Sequence, residues 1–312
     1  MIRHRGFPEP RQRHIPLWRR GPAALALAVC VGLSLLGLVH ANAGSGLSFA
    51  PMPAAVILPV EGTPDADPRQ AFVFGSAKLL AACWTAEGLT GQPGDLHPVA
   101  LRTPDRTPPE RLRPTHDILP PLIAAWAGSL RRVRLPAGTR LVALTFDLCE
   151  MATRVSGFDH RIVNFLRSEG VHATFFAGGK WMRSHPEQTM QLMADPLFEV
   201  GNHAWTHGNL AVLKGQAAED QVLWTQAQYE LLWEELARRA ARLPDAEAEM
   251  AKVPALPRLF RFPYGRCCPE ALEMLFRLKI PAVQWDVGAE DFAARDTDPV
   301  ALAERVAGQI RP

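Results

Sequence analysis

The sequence predicts an α/β fold from residue 137 onward, built on a parallel sheet that is either open or closed into a barrel. Three observations carry this. Short apolar runs alternate with helix-like segments along the chain. The runs are continuous in polarity rather than alternating, as strands covered on both faces must be. Polar and conformationally special residues cluster where those runs end, which in such folds is the edge that carries chemistry.

The elements follow in order. Arg140–Phe146 (RLVALTF) reads as a first strand ended by Asp147. His160–Ser168 reads as a helix, and Val171–Ala177 as a second buried strand. Ser184 and Pro186 can open a helix that runs to Asp195, with a strand at Phe198–Val200 after it. Ala217–Leu243 is a long amphipathic helix. A short strand at Leu259–Arg261, a proline-opened helix at Pro269–Leu278, a strand at Ile280–Trp285 and a helix at Pro299–Ile310 complete the pattern.

Two other regions precede this domain. Residues 1–43 combine an arginine-rich flank (Arg3, Arg5, Arg11, Arg13, Arg19, Arg20), an apolar run at Pro22–Val39 and the small-x-small site Ala41-Asn42-Ala43. That is the layout of an export signal or a signal anchor, so the chain is expected to be periplasmic or extracellular, or held at the inner membrane by this segment alone. Residues 44–136 are proline-dense and read as a linker or loosely structured segment, with short apolar pieces at Ala54–Val60, Ala71–Trp84 and Ile118–Leu130 and a helix at Ala77–Ala86. A hydrophobic content of 47% supports a real core, and a net charge of +2 gives no reason to expect nucleic acid.

Four strand ends carry candidate chemistry. Asp147 and Glu150 follow the first, His203 and His207 the third, Arg261-Phe262-Pro263-Tyr264-Gly265 the fourth, and Asp286, Glu290 and Asp291 the fifth. Histidines four apart share a face if they lie on one helical turn, where both imidazoles reach one cation. Of the five cysteines, Cys149 follows the first strand and Cys267-Cys268 the fourth, which puts them on one rim. A disulfide from Cys149 to one of that pair is one expectation, and small buried thiols are the other.

Five stretches together resemble the polysaccharide deacetylases, or NodB-homology domain: ALTFD at Ala143–Asp147, ATFF at Ala173–Phe176, GNHAWTH at Gly201–His207, RFPYG at Arg261–Gly265, and WDV at Trp285–Val287 with Asp291. The resemblance implies a distorted, incomplete (β/α) barrel that removes acetyl groups from an amino sugar or acetylated glycan. It implies a divalent metal, zinc by expectation, on His203 and His207, with Asp147 as general base and Arg261 holding Asp147. The backbone N–H of Tyr264 would stabilise the oxyanion. Trp285 with Phe292 would wall a sugar site that Asp286 and Asp291 border.

Two departures set further expectations. Leu148 stands where the family has its third metal ligand, so that oxygen is expected from Glu150, nearer the strand end, or from Asp159 across the loop. The family's last motif, a strand ending in Leu-x-His, does not follow Gln309-Ile310-Arg311-Pro312. The barrel is therefore expected to be truncated at its C-terminal end, with one sheet edge bare and the histidine general acid missing. The competing reading is a non-catalytic or fragmentary deacetylase-like glycan-binding protein.

Overall fold

The computed structural model describes residues 56–59, 74–116, 119–135, 138–291 and 298–310. The arginine-rich flank, the apolar run and Phe292 lie outside the described residues. Among the described residues, no helix is long and apolar enough to cross a membrane.

The elements run β1 (Val56–Pro59), α1 (Ala77–Cys83), α2 (Ala86–Thr90), β2 (Val99–Ala100), β3 (Ser129–Arg134), β4 (Thr145–Leu148), β5 (Arg154–Val155), α3 (His160–Glu169) and β6 (Ala173–Ala177). They continue with α4 (Gly179–Ser184), α5 (Pro186–Ala194), β7 (Phe198–Asn202), α6 (Gly215–Ala240), α7 (Ala246–Met250), α8 (Pro269–Arg277), β8 (Ala282–Val283) and α9 (Pro299–Gln309). Local chemistry sets many of the boundaries. Asp159 caps α3 by accepting from the Arg161 N–H, and Gly170 ends it in the left-handed conformation at φ 62°. Prolines open α5, α8 and α9, where a missing N–H costs nothing.

The main sheet is parallel. β4 pairs with β6 and β6 with β7. Phe260 then bridges Asn202 on one side and Ala282 of β8 on the other. Beyond β8 lie β3 and then β1, again parallel. Among the described residues no pairing joins β1 to β4, so the sheet is an incomplete barrel rather than a closed ring. Side-chain alternation divides the strands into two faces. Phe146, Phe175 and Phe198 belong to the apolar layer under the helices, with Phe146 stacked on Phe175 at 5.1 Å and Phe198 edge-on to Phe175 at 5.2 Å. Thr145, Asp147, Thr174, Phe176, Glu199 and Gly201 take the opposite, inward face.

Several expectations change. The first strand begins only at Thr145; Leu141 and Val142 are exposed, and the backbone before Thr145 meets β6 only through the Thr174 N–H donating to Leu144 O. The strand at Leu259–Arg261 contracts to a bridge at Phe260. α4 is an extra helix between β6 and α5.

The segment read as loosely structured is tied down along much of its length. Leu79 of α1 is fully buried in the core beneath the helices. Asp105 pairs with Lys180 and Arg183, and Arg111, Thr115 and His116 converge on Glu230 of α6. Its contacts are isolated apolar anchors and charged hydrogen bonds, which leave no periodic trace in sequence. The sheet edge beside β8, expected bare, is covered by β3 from this same segment.

Candidate metal centre and active site

Asp147 is the third residue of β4, on the inward face with Thr145. Arg261 reaches both from the far side of the sheet, its Nη1 donating to Asp147 Oδ1 and to Thr145 Oγ1, each at 2.8 Å, while its Nε donates to Val283 O at 3.2 Å. The guanidinium carbon lies 4.0 Å from the centre of the Phe176 ring, a cation–π contact made in a buried setting. Phe176 in turn lies over Gly201, where an added Cβ would stand 2.6 Å from a ring carbon. Gly201 is thus required by a close approach. Asp147 remains 29% exposed at its side chain, so water reaches it while Arg261 fixes its other oxygen.

The loop after β7 presents the two histidines, but not on a helical turn as the spacing suggested. Ala204 and His207 adopt left-handed backbone, at φ 66° and 57°. The loop is gripped from several sides: His203 N–H donates to Ala177 O, Ala204 N–H to Asn202 Oδ1, and the N–H groups of Thr206 and Gly208 to Gln221 Oε1 of α6. Those bonds offset the strain of left-handed backbone and bring the rings together anyway, with centroids 5.0 Å apart.

His203 is oriented as a ligand would be. Its Nδ1 lies 2.9 Å from Arg261 O, which fixes the tautomer with the proton on Nδ1. Its Nε2 is buried, has no hydrogen-bond partner, and lies 3.6 Å from Asp147 Oδ2. Burial lowers the affinity of both imidazoles for protons. His203 is pulled below its ordinary value, partly offset by Asp147. His207 is pushed to about 3 by burial and then by neighbouring His203. Both rings are neutral donors through the physiological range, the form that binds cations.

The third metal-ligating group that the structure brings beside the two imidazoles is a cysteine. Cys149 Sγ and one nitrogen each of His203 and His207 lie within 4.8 Å of one another. Glu150, expected to supply the oxygen, is engaged elsewhere. It is 1% exposed, accepts from Lys180 Nζ at 3.3 Å and from Ser184 Oγ at 2.7 Å with one oxygen, and from Ser156 N–H with the other. Asp159 is occupied in capping α3 and in pairing Arg161. Strand alternation explains the outcome: Leu148 packs with the apolar layer, and the next residue returns to the side of Asp147. Burial raises the Cys149 thiol well above its ordinary value, reinforced by Asp147 and Asp291, a balance that a bound cation would reverse. An orphaned imidazole nitrogen, a second neutral imidazole and a thiol fit a divalent transition metal, zinc best among them.

The expected disulfide does not form. Cys83, Cys149, Cys267 and Cys268 are all free. The Cys268 Sγ instead accepts from Lys214 Nζ at 3.1 Å and donates to Leu210 O at 3.4 Å.

The remaining predicted residues border the same rim. Tyr264 occupies a left-handed position at φ 62°, with its half-exposed ring 4.4 Å from that of His207. Trp285 lies over Gly265, where a Cβ would meet its ring at 2.8 Å, and 5.6 Å from the Arg261 guanidinium carbon. Asp286 faces outward and pairs with Arg132 of β3 at 2.6 Å, so part of its charge is already neutralised. Asp291 is close enough to Cys149 to raise its thiol. Sequence reasoning missed Arg131, whose Nη1 donates to Trp285 O from β3. The basic run Arg131-Arg132 beside a strand end was the available signal.

The sequence model described as Polysaccharide deacetylase matches residues 134–283. A chitooligosaccharide deacetylase from Bradyrhizobium sp. (strain ANU 289) is 31% identical over 176 residues, 56% of this chain and 68% of that protein. The peptidoglycan-N-acetylmuramic acid deacetylase PdaC from Bacillus subtilis is 28% identical over 171 residues, 54% of this chain and 30% of that protein. Among solved structures, a CE4 family pseudoenzyme from Bacillus anthracis aligns at 23% identity and a TM-score of 0.45, covering 60% of this chain and 56% of that one.

Proposed function

The chain belongs to the polysaccharide deacetylase family, and from that premise we propose that it hydrolyses the acetamide of an acetylated glycan, releasing acetate and a free amine, at a site holding a divalent metal. The observation that carries this reading is the convergence on one rim of Asp147, its Arg261 partner and two neutral imidazoles with one orphaned nitrogen.

When bound, the cation supplies Lewis acidity, drawing charge from the acetyl carbonyl and making a neighbouring water more acidic. Asp147 takes the proton from an attacking water through Oδ2, since Oδ1 is committed to Arg261, as the water oxygen bonds to the acetyl carbon. Arg261 holds the carboxylate aimed through its charge-assisted hydrogen bond to Oδ1. The Tyr264 N–H donates to the oxygen that gains charge as the carbonyl becomes tetrahedral. Protonated Asp147 then returns its proton to the leaving nitrogen as the C–N bond breaks. The half-exposed ring of Tyr264 and the partly buried ring of Trp285 offer apolar faces to a sugar, and an N-acetylated amino sugar of chitin or peptidoglycan type is the substrate class that the relatives' activities support. Export through residues 1–43, where such polymers lie, belongs to the same proposal.

The test is acetate release from N-acetylglucosamine oligomers and peptidoglycan fragments. Asp147→Asn should lower the rate by about 10²–10⁴ while leaving the fold intact. Undiminished release in that variant would remove Asp147 from the base role and the reading with it.

A further inference from the structure

We propose that Cys149 is the third protein ligand of the metal centre, so that a thiolate stands in this chain where a carboxylate would be expected and the site selects a thiophilic ion such as zinc. This rests on the metal-site reading above and names the donor set that the resemblance left open.

Four observations converge. The Cys149 Sγ closes a triangle with the two histidine nitrogens in which no edge exceeds 4.8 Å. Four-coordinate zinc places nitrogen about 2.0–2.1 Å and sulfur about 2.3 Å from the metal, so donors around one ion stand roughly 3.3–3.8 Å apart. Side-chain rotations that bring the donors about an ångström closer would put all three within reach of one ion.

The buried Nε2 of His203 has no other partner, and the Arg261 carbonyl behind it holds the ring in the tautomer that leaves this nitrogen free. The oxygen donor next along the chain is removed from competition by Lys180, Ser184 and Ser156, which lock Glu150 into the wall behind the loop and thereby fix where Cys149 points. Asp105 extends that brace by pairing with Lys180 at 2.9 Å.

The cysteine is also not committed to another sulfur. Binding the ion releases the Sγ proton to solvent and forms a sulfur–metal bond. Sulfur favours zinc, and among spectroscopic substitutes cobalt(II), over magnesium, calcium or manganese, which prefer oxygen. Three protein donors would leave a fourth position for water or substrate, as hydrolytic metal sites require.

The experiment uses the full chain, stripped of metal under reducing conditions and titrated with cobalt(II) and with zinc. The wild type should show the near-ultraviolet sulfur-to-cobalt charge-transfer band at one ion per chain. Cys149→Ser should lose the band, whereas a Cys267→Ser/Cys268→Ser double variant should keep it. Cys149→Asp should bind cobalt without the band and should accept manganese, which the wild type rejects. One ion bound by the wild type with no thiolate band would overturn the cysteine assignment and leave the deacetylase reading standing. No ion bound by the folded wild type would overturn the metal site altogether. The band surviving in Cys149→Ser would assign the thiolate elsewhere.

Discussion

Arg261 and Asp147 are joined across the inside of an open barrel, Nη1 to Oδ1 at 2.8 Å, by residues 114 positions apart in the chain. The same guanidinium lies on Phe176, and its residue's own carbonyl orients His203. One residue therefore positions the proposed base through its side chain and a proposed metal ligand through its backbone.

Arg261→Lys keeps the charge but loses the planar fork that serves Asp147, Thr145 and Val283 O together. Acetate release should fall on the order of 10²-fold through misplacement of Asp147, with metal content unchanged, because the backbone carbonyl that faces His203 is retained. Loss of metal together with activity would show that the whole loop depends on the guanidinium.

Gly201→Ala tests the packing beneath that arginine. The new methyl would stand 2.6 Å from the Phe176 ring, which must shift and carry Arg261 with it. A stability loss of about 1–3 kcal/mol is expected in denaturant unfolding, together with reduced activity. A neutral outcome would mean that the ring is free to move.

Glu199 lies inward on β7, where burial lifts its carboxyl from an ordinary 4.5 to about 7 against the smaller opposing effects of Arg258 and Thr174. The folded chain then holds a proton that the unfolded chain loses. Its contribution to stability is full below pH 4.5 and is lost as the pH rises through about 7. The loss is on the order of 3 kcal/mol. Glu199→Gln should flatten the stability profile over this window, measured as urea midpoints between these limits.

Glu230 has the opposite sign. Burial alone would raise its carboxyl, but the N–H groups of Thr115 and His116, the His116 ring and Arg111 hold it at about 2. Its stabilisation is present above the ordinary 4.5 and is lost as the pH falls through about 2. Glu230→Gln should cost on the order of 3 kcal/mol at neutral pH, and much less at the acid end. Limited proteolysis near residues 111–116 should quicken in parallel, because the anchor of that strap is Glu230.

Much of the molecule was legible because its signals are local. Continuous apolar runs located β6 and β7, and opening prolines located α5 and α8. Motif spacing placed Asp147, His203, His207 and Arg261 on one rim. The spacing of the histidines, however, suggested a helical turn, and the loop that holds them is kept in its left-handed conformation by N–H groups donating to the side-chain oxygens of Asn202 and Gln221. The segment before residue 137 was opaque because its anchors, Leu79, Asp105 and Arg111, each find partners remote in sequence.

The sequence by itself determined the alternation of strands and helices, the parallel sheet and the set of polar residues at its carboxyl edge, since periodicity, capping and burial act over a few neighbouring residues. Tertiary structure decided which of those residues meet. It withdrew Glu150 into a buried brace, left the cysteines free, turned Cys149 toward the histidines and laid β3 against β8. Each outcome depends on whether a distant partner arrives to satisfy a buried donor, acceptor or strand edge, and spacing along the chain carries no record of that.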